Sequence, residues 1–541
     1  GAAGEAGNIK LEARASDVKF AGVSSANADV KVNGVLRGAD IDVSAIAIGE
    51  VDFGWLSSLD PADPTSALTV AEEIADIESE DIQDNALESF DDPLDITNLL
   101  ALGFPVTTAI VNSNAVVEIG DGALLDASGN VNVTADAQRK AIGGTGGLAT
   151  ASLPPFGVGV IYGEVSGTSA ARISGNAEVN AADLAVVAKS RNTLELASEA
   201  EIERARRGNA GNTVGAFSLA IGVAATDTEA TVGKDVQLAA ENVEVRASNL
   251  DTFITEASSS AGSTATNAPS QGALTLAISA WNTNAHAAFN ASMADDAGLN
   301  SLDVVADNLS DARVTKAEVQ NGFNAIDYLV GSRRQRSQGI NAFVQGQVSR
   351  TGQPADLRVA AATSLTFSQQ SARAEIGEGV SLNADGNVSV RSRVVNQGVR
   401  SIADSRANSL SEKDGAQFTG SVAFTYGDYL HSSQAIIGDG ADITARNIGV
   451  GARSALPIDN DYDEILSTFN PEDWDGPQDF FAAINEVAQL YFDPDVAALE
   501  NFGLADNLLT SYANAYANSI AQTGETSTAA YGSFNGTFAS H

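Results

Sequence analysis

Cysteine is absent from the 541 residues, which excludes disulfides, thiol nucleophiles and cysteine-based metal sites. A cytosolic chain of this length usually carries a few cysteines, so their absence points to a secreted bacterial product that folds without disulfides. Methionine occurs once, as Met293, so residue 1 is not an initiator. No apolar run is long enough to cross a membrane as a helix, and no signal peptide opens the chain. Basic residues are scarce: 30 Lys and Arg face 70 Asp and Glu, for a net charge of −40. That field disfavours nucleic acid and anionic membranes as partners. No Lys or Arg occurs from 39 to 138 or from 454 to the end. Histidine is limited to His286, His431 and His541, in unrelated contexts. No HExxH, GxSxG, CxxC or Walker pattern is present, so the familiar metalloprotease, hydrolase, redox and nucleotide-binding signatures are missing.

Small residues and β-branched residues fill the chain instead. Hydrophobic residues make up 44% of it, which argues against disorder over most of its length. The same line is written several times: VEIGDGALLDASGNVNVTA at 117–135, AEIGEGVSLNADGNVSV at 374–390 and AIIGDGADITARNIGVGA at 435–452. The apolar residue before the first glycine falls at Ile119, Ile173, Val232, Ile376 and Ile437, with a weaker copy at Phe289. Clean neighbours lie 54, 59 and 61 residues apart. A period in this range marks a solenoid or another repeat array.

Each copy alternates. Val232, Val236, Leu238, Val243, Val245 and Ala247 share one face, and Thr231, Gln237, Glu244 and Arg246 the other. In the last copy the same slots hold Ile437, Ala441, Ile443, Ile448, Val450 and Ala452. Period-two alternation broken by Gly, Asp or Asn describes half-buried strands. The GDG and DGN tripeptides are turn chemistry, so their Asp residues are turn formers rather than ligands. A second strand type lies between the anchors. In GAFSLAIGVA (215–224), Phe217, Leu219, Ile221 and Val223 share one face, and Ala216, Ser218, Ala220 and Gly222 the other. The face of tiny side chains permits close approach of another backbone layer. The expected fold is all-β, a parallel β-solenoid with about three coils of ~20 residues per period.

Insertions break the period and set the expected layout. Solenoid repeats occupy 1–49, 105–313 and 346–455, and a further repeat starts at 516–541. Acidic insertions fall at 50–104 and 456–515, and a third at 314–345 with the basic cluster SRRQRS. Leu68, Ile74, Ile77 and Ile82 form an uneven apolar stripe on a helix starting near Thr65 or Ser66. Phe480, Ile484, Val487 and Leu490 have helical spacing in the second acidic insertion. Such stripes either cover the side of the solenoid or dock onto a neighbouring chain. The chain begins with GNIKLEARAS at 7–16, the closing half of a repeat, and ends inside another, so it reads as a piece of a longer polypeptide.

Candidate site residues are few. Asp459, Asp461 and Asp463 have the alternate-carboxylate spacing of a calcium loop, and they are the candidate Ca²⁺ ligands. The pattern departs from the EF-hand, with Glu464 at position six and Asn470 at position twelve, so a solvated acidic loop is the favoured reading. The densest mixed-charge run, Glu201, Glu203, Arg204, Arg206 and Arg207, reads as a solvated coil face. His431 reads as a surface or packing residue. No catalytic or cofactor-binding residue is singled out.

Lines such as GAFSLAIGVAATDTEATVGKDVQLAAENVEVRAS resemble the repeats of giant secreted surface proteins of Gram-negative bacteria. These are filamentous adhesins similar to filamentous haemagglutinin and to the leukotoxin-type large repetitive proteins. The resemblance implies a right-handed β-helix, export to the cell surface and a non-enzymatic role in adhesion or in an extracellular filament. The implied partners are neighbouring segments or copies of the same protein and a host or environmental surface or glycan. Two rivals stay open: a polysaccharide-processing β-helix enzyme, and a self-assembling filament protomer.

Overall fold

The computed structural model describes residues 7–19, 22–52, 106–146, 156–202, 214–261, 270–293, 298–321, 357–396, 399–411, 417–455, 510–521 and 527–540. Every regular element among them is a β-strand. In chain order they are β1 (Ile9–Lys19), β2 (Gly22–Val32), β3 (Val35–Gly38), β4 (Ile41–Asp52), β5 (Val106–Ile119), β6 (Leu124–Ala127), β7 (Asn130–Gly146), β8 (Phe156–Ile173), β9 (Glu178–Ile202) and β10 (Val214–Val232). Then follow β11 (Gln237–Ala261), β12 (Ser270–Phe289), β13 (Ser301–Asn321), β14 (Leu357–Ile376), β15 (Ser381–Asn396), β16 (Val399–Ser411), β17 (Gln417–Ile437), β18 (Asp442–Ala455), β19 (Thr510–Ala521) and β20 (Ser527–Ser540).

The strands form two sheets, and the chain alternates between them. The first has twelve strands, eight along the path β1-β4-β7-β9-β11-β13-β15-β18 with β3, β6, β16 and β19 beside it, and the second has eight in the order β2-β5-β8-β10-β12-β14-β17-β20. All pairings between named strands are parallel, as in a β-helix or solenoid-like stack.

The register corrects one expectation. Phe217 pairs with Val158 on one side and Leu274 on the other, 59 and 57 residues away (217 − 158 and 274 − 217). Each repeat is therefore one wide coil rather than three narrow ones. The strands reach 25 residues in β9 and β11, or about 80 Å at ~3.3 Å per residue. Polar inward residues mid-strand look like breaks in the sequence, yet the backbone runs straight through them. Strand extents also exceed the expected layout. β4 continues to Asp52, β13 continues to Asn321 and β19 starts at Thr510, so 50–52, 314–321 and 510–515 are strand.

Inward slots carry the core. Val232, Val236, Leu238, Val243, Val245 and Ala247 are all buried, while Glu244 and Arg246 point outward and pair at 2.6 Å. They belong to an apolar cluster that runs along the stack on the anchor side. A second cluster holds the other side, with Ala216, Ala220, Leu194, Phe253 and Trp281. Its inter-sheet distance is set by the small face of 215–224. Ser218 Oγ donates to the Ser198 carbonyl at 2.9 Å, and a Cβ on Gly222 would lie 2.2 Å from Thr255 Oγ1. The anchor turns behave as their residues dictate: Gly122, Gly379 and Gly440 have φ of 72°, 65° and 70°, which glycine adopts freely. In the last full repeat Ile448 and Val450 are 48% and 51% exposed, although their partners Val388 and Val390 are buried. β20 pairs with β17 only as far as Leu430, so β18 lies at the end of the described stack.

Candidate functional site

The candidate calcium ligands Asp459, Asp461 and Asp463 lie outside the described residues, as do Glu203, Arg204, Arg206 and Arg207 and the two apolar stripes. Among the described residues no group of three or more His, Asp or Glu is placed to hold a metal ion. The turn carboxylates bridge coils: Asp121 Oδ1 accepts from the Asn176 backbone N–H at 3.2 Å, and Asp183 accepts from Asn242 at 2.7 Å. Amides extend such contacts into ladders, since Asn300 in turn donates to Asn242 at 3.0 Å. Ion pairs do the same on the coil faces, with Lys31–Glu118 at 3.2 Å, Lys140–Glu50 at 2.6 Å and Arg391–Asp303 at 2.7 Å.

The densest constellation lies inside, where a polar row separates the two apolar clusters. It is built from the middle of each long strand. Arg139 on β7 donates from Nε to the Ser113 carbonyl at 2.8 Å and from Nη1 to Ser190 Oγ and Asn192 Oδ1 at 2.6 and 2.9 Å. Asn192 on β9 donates to Asn249 at 2.7 Å and to Asp251 at 2.8 Å. Asn249 on β11 donates onward to Asn308 on β13 at 3.0 Å. Arg313 donates from Nη2 to Asp251 and Thr283 at 2.7 and 2.8 Å, and from Nη1 to Ser368 at 2.7 Å. Gln370 on β14 donates to Asn308 Oδ1 at 2.9 Å, and Asn396 sits 3.3 Å from His431 Nδ1. His431 is thus a packing residue. The row spans six coils without a solvent-facing member.

A β-bulge brings Arg313 into the row. Asp251 pairs with Ser310 but Thr252 pairs with Ala312, so Asp311 is an extra residue. One extra residue reverses the alternation. Before it, Leu302, Val304, Ala306 and Asn308 face inward; after it, Arg313, Thr315, Ala317 and Val319 do. Arg313 then lies 5.2 Å from the Phe253 ring centre and 5.9 Å from that of Trp281. Burial lowers the Arg139 guanidinium to about 10, against the raising charges of Asp251 and Asp227. Burial lowers Arg313 as well, opposed by the Asp251 charge and hydrogen bond.

Asp251 and Arg313 are both 0% exposed, so a dissolved substrate cannot meet them. What the row can do is fix register. A slip by one coil or one residue would strand charges and amides in a dry interior, and buried unpaired charge is costly. The sequence held a signal for it: Asn249 and Asn308 recur 59 residues apart (308 − 249) at inward parity.

The second distinctive surface is the outer face of the second sheet. The large residues of the 215–224 strand type point away from the first sheet. Ile110, Val160, Tyr162, Leu219 and Ile221 form an apolar cluster there, with Phe217, Val223, Leu276 and Ile278 packed against it. Further along, Leu274, Phe367 and Val422 are exposed. A shallow groove of about 340 Å³ lies on this face between Phe367, Asn282, Gln369, Asp428 and Leu430.

These two features define a class: a wide parallel β stack with a polar seam in its interior. Comparison with protein families, curated proteins and solved structures finds no match to this chain.

Proposed function

We propose that this chain is a rod-forming segment of a very large secreted bacterial surface protein, coiled right-handedly, that holds an adhesive or filament-forming region away from the cell. The observation that carries it is the register. Successive strands of each sheet pair one repeat apart, so the described stack grows by one coil per repeat. Parallel βαβ-type connections are overwhelmingly right-handed, and the same twist argument applies to coils. A role in structure rather than catalysis is favoured because the charged constellation is sealed inside, while several carboxylates on the coil faces pair with cations of adjacent coils. Partners on this reading are further coils of the same protein and a host or environmental surface or glycan. The acidic loop at Asp459, Asp461 and Asp463 is the proposed calcium site.

The test is display of the chain on a non-adherent Gram-negative strain. Attachment to abiotic or glycan-coated surfaces above the empty-vector strain supports the proposal. No gain in attachment together with release of reducing ends from a polysaccharide panel would replace it with the enzyme. The filament-protomer alternative shares the same parallel register between repeats. A native mass near 55.4 kDa would favour it over the long-polypeptide reading.

A further inference from the structure

Arg139 lies in the interior seam without a carboxylate of its own. It is 1% exposed. Its Nε and Nη1 donate to the Ser113 carbonyl, Ser190 Oγ and Asn192 Oδ1, all neutral acceptors. Asp251, the carboxylate of the seam, is paired with Arg313 at 2.7 Å. Asp251 and Asp227 act on Arg139 by their charge alone, with no hydrogen bond to it. The seam therefore encloses two guanidinium groups and one carboxylate. Two donors are left over at one point in it. Arg139 Nη2 and Ser113 Oγ are both buried and have no hydrogen-bond partner. Nη2 shares an edge of the planar fork with Nε, so the bond from Nε to Ser113 holds Nη2 beside that residue.

The backbone is opened at this point. Farther along the same pair of strands the Ser174 N–H donates to the Ile119 carbonyl at 2.8 Å. Six residues earlier the same ladder would join the Thr168 N–H to the Ser113 carbonyl. Instead the register of β5 on β8 breaks between the pairs Asn112–Ser166 and Ala115–Ser169. The Thr168 N–H donates to Asn114 Oδ1 at 2.8 Å, and the freed Ser113 carbonyl takes the Arg139 Nε–H. Gly167 permits the break. Its φ is 129°, and a Cβ there would lie 2.3 Å from the Ser113 carbonyl oxygen. In the row of Gly167 the following coils place Thr226, Thr283 and Gln370. Beside Arg139, Ser113 and Gly167 supply nothing larger than a hydroxymethyl group.

We propose that the seam binds one small monovalent anion, chloride in ordinary media, between Arg139 Nη2 and Ser113 Oγ. Both groups can donate, which suits a ligand that only accepts. One negative charge, added to that of Asp251, balances the two guanidinium groups. A water molecule could accept from the same donors, but it would leave a net charge in a dry interior, which is costly. The net charge of −40 does not forbid an anion here. Exposed carboxylates are screened beyond about 8 Å at physiological ionic strength, whereas the guanidinium acts at contact in a low dielectric. Gly167 is half-buried, so the ion can exchange by local opening at the broken ladder.

The test starts from the full chain dialysed into sodium gluconate, whose anion is too bulky for the site. Sodium chloride or bromide then replaces gluconate at constant ionic strength, which holds screening fixed. The melting temperature should rise with halide concentration by mass action. Ser113→Ala removes one donor and keeps the guanidinium, so the same rise should need about tenfold more halide. Arg139→Met should abolish the response, while Arg172→Met, at an arginine paired with Glu229 on a coil face, should retain it. Equal melting temperatures in gluconate and halide would overturn the proposal and leave water as the partner of Nη2. A halide response unchanged in Ser113→Ala and Arg139→Met would overturn it too, by placing the ion elsewhere. Crystals of the unaltered chain grown in bromide decide the matter even if Arg139→Met does not fold. An anomalous peak within hydrogen-bond distance of Arg139 Nη2 is expected. Bromide found only beside exposed cations would overturn the proposal.

Discussion

Asp251 is the residue on which the interior seam depends. It accepts from Asn192, Asn249 and Arg313, and its charge also acts on Arg139. Asp251→Leu should cost about 3–5 kcal/mol, because two guanidinium groups are left without their carboxylate in a dry interior. Asp251→Leu with Arg313→Met should recover part of that loss, since a well-packed apolar pair replaces the ion pair. Urea denaturation of the two variants checks this, and a double variant weaker than the single one would contradict it. None of this could be read from Asp251 alone. SNLDTF looks like a loop, because an inward Asn and Asp break the apolar alternation that marks a strand. Only the return of Asn at the same inward slot one repeat later distinguishes a seam from a turn.

Glu375 shows how outward carboxylates differ. Burial pushes its carboxyl up, but hydrogen bonds from Arg373 and His286, with their charges, outweigh this and hold it below the usual range. A depressed carboxyl adds stability above its unfolded value of about 4.3 and loses it as pH falls through the lower folded value. Glu375→Gln should therefore lower the melting temperature at pH 7, on the order of 1–2 °C. The gap should be smaller at pH 3, below the unfolded value. A gap of equal size at both pH values in scanning calorimetry would show that the effect is not electrostatic.

At the scale of the strand, the alternation of the anchor repeats was legible and the length of the elements was not. Val243 inside and Glu244 outside follow from period two. Strand length did not follow, because Ser, Thr and Asn point inward where the two sheets approach closely and pair across the gap. The β13 bulge is another hidden feature: ADNLSDARV carries no glycine to announce it. Deleting Asp311 should remove the bulge and leave Arg313, Thr315, Ala317 and Val319 inward, because Ser310, Ala312 and Arg313 then alternate directly opposite Asp251, Thr252 and Phe253. Hydrogen exchange should then show protection retained over both 301–308 and 312–321. Protection lost over 312–321 alone would mean that the inward parity after the bulge depends on Asp311 itself. The apolar stripes of the two acidic stretches were legible as patterns, and the small and large faces of 215–224 as well. That the small face meets another backbone layer was legible from its tiny side chains, although hydrophobicity alone would favour the large one. The small face is inside because the sheets are close.

At the scale of the molecule, charge and repetition act together. A net charge of −40 repels itself, and several of the described cations are used in contacts between coils. Added salt should therefore raise the melting temperature by screening. Millimolar Ca²⁺ should raise it further than sodium at matched ionic strength if Asp459, Asp461 and Asp463 bind the ion, by mass action. Equal shifts with the two salts would leave screening as the whole effect. The melting temperature of Asp461→Asn in calcium separates the loop from the rest of the acidic surface.

The register also decides how the chain would behave under tension. Hydrogen bonds between coils point along the stack, so a force applied between its two ends pulls each strand from its neighbour one pair at a time. Resistance comes from a single coil at any moment, not from all of them in parallel. Val214 pairs with Gln271, 57 residues on, so a released coil frees about 190 Å of slack chain where it had occupied ~4.8 Å of the stack. The stack is then a reserve of length, roughly forty coil-heights for each coil surrendered, and a tether built this way yields in even steps before it parts. In single-molecule pulling the steps should match one repeat of contour length, and a lone rupture of the whole array would show that the coils give way together.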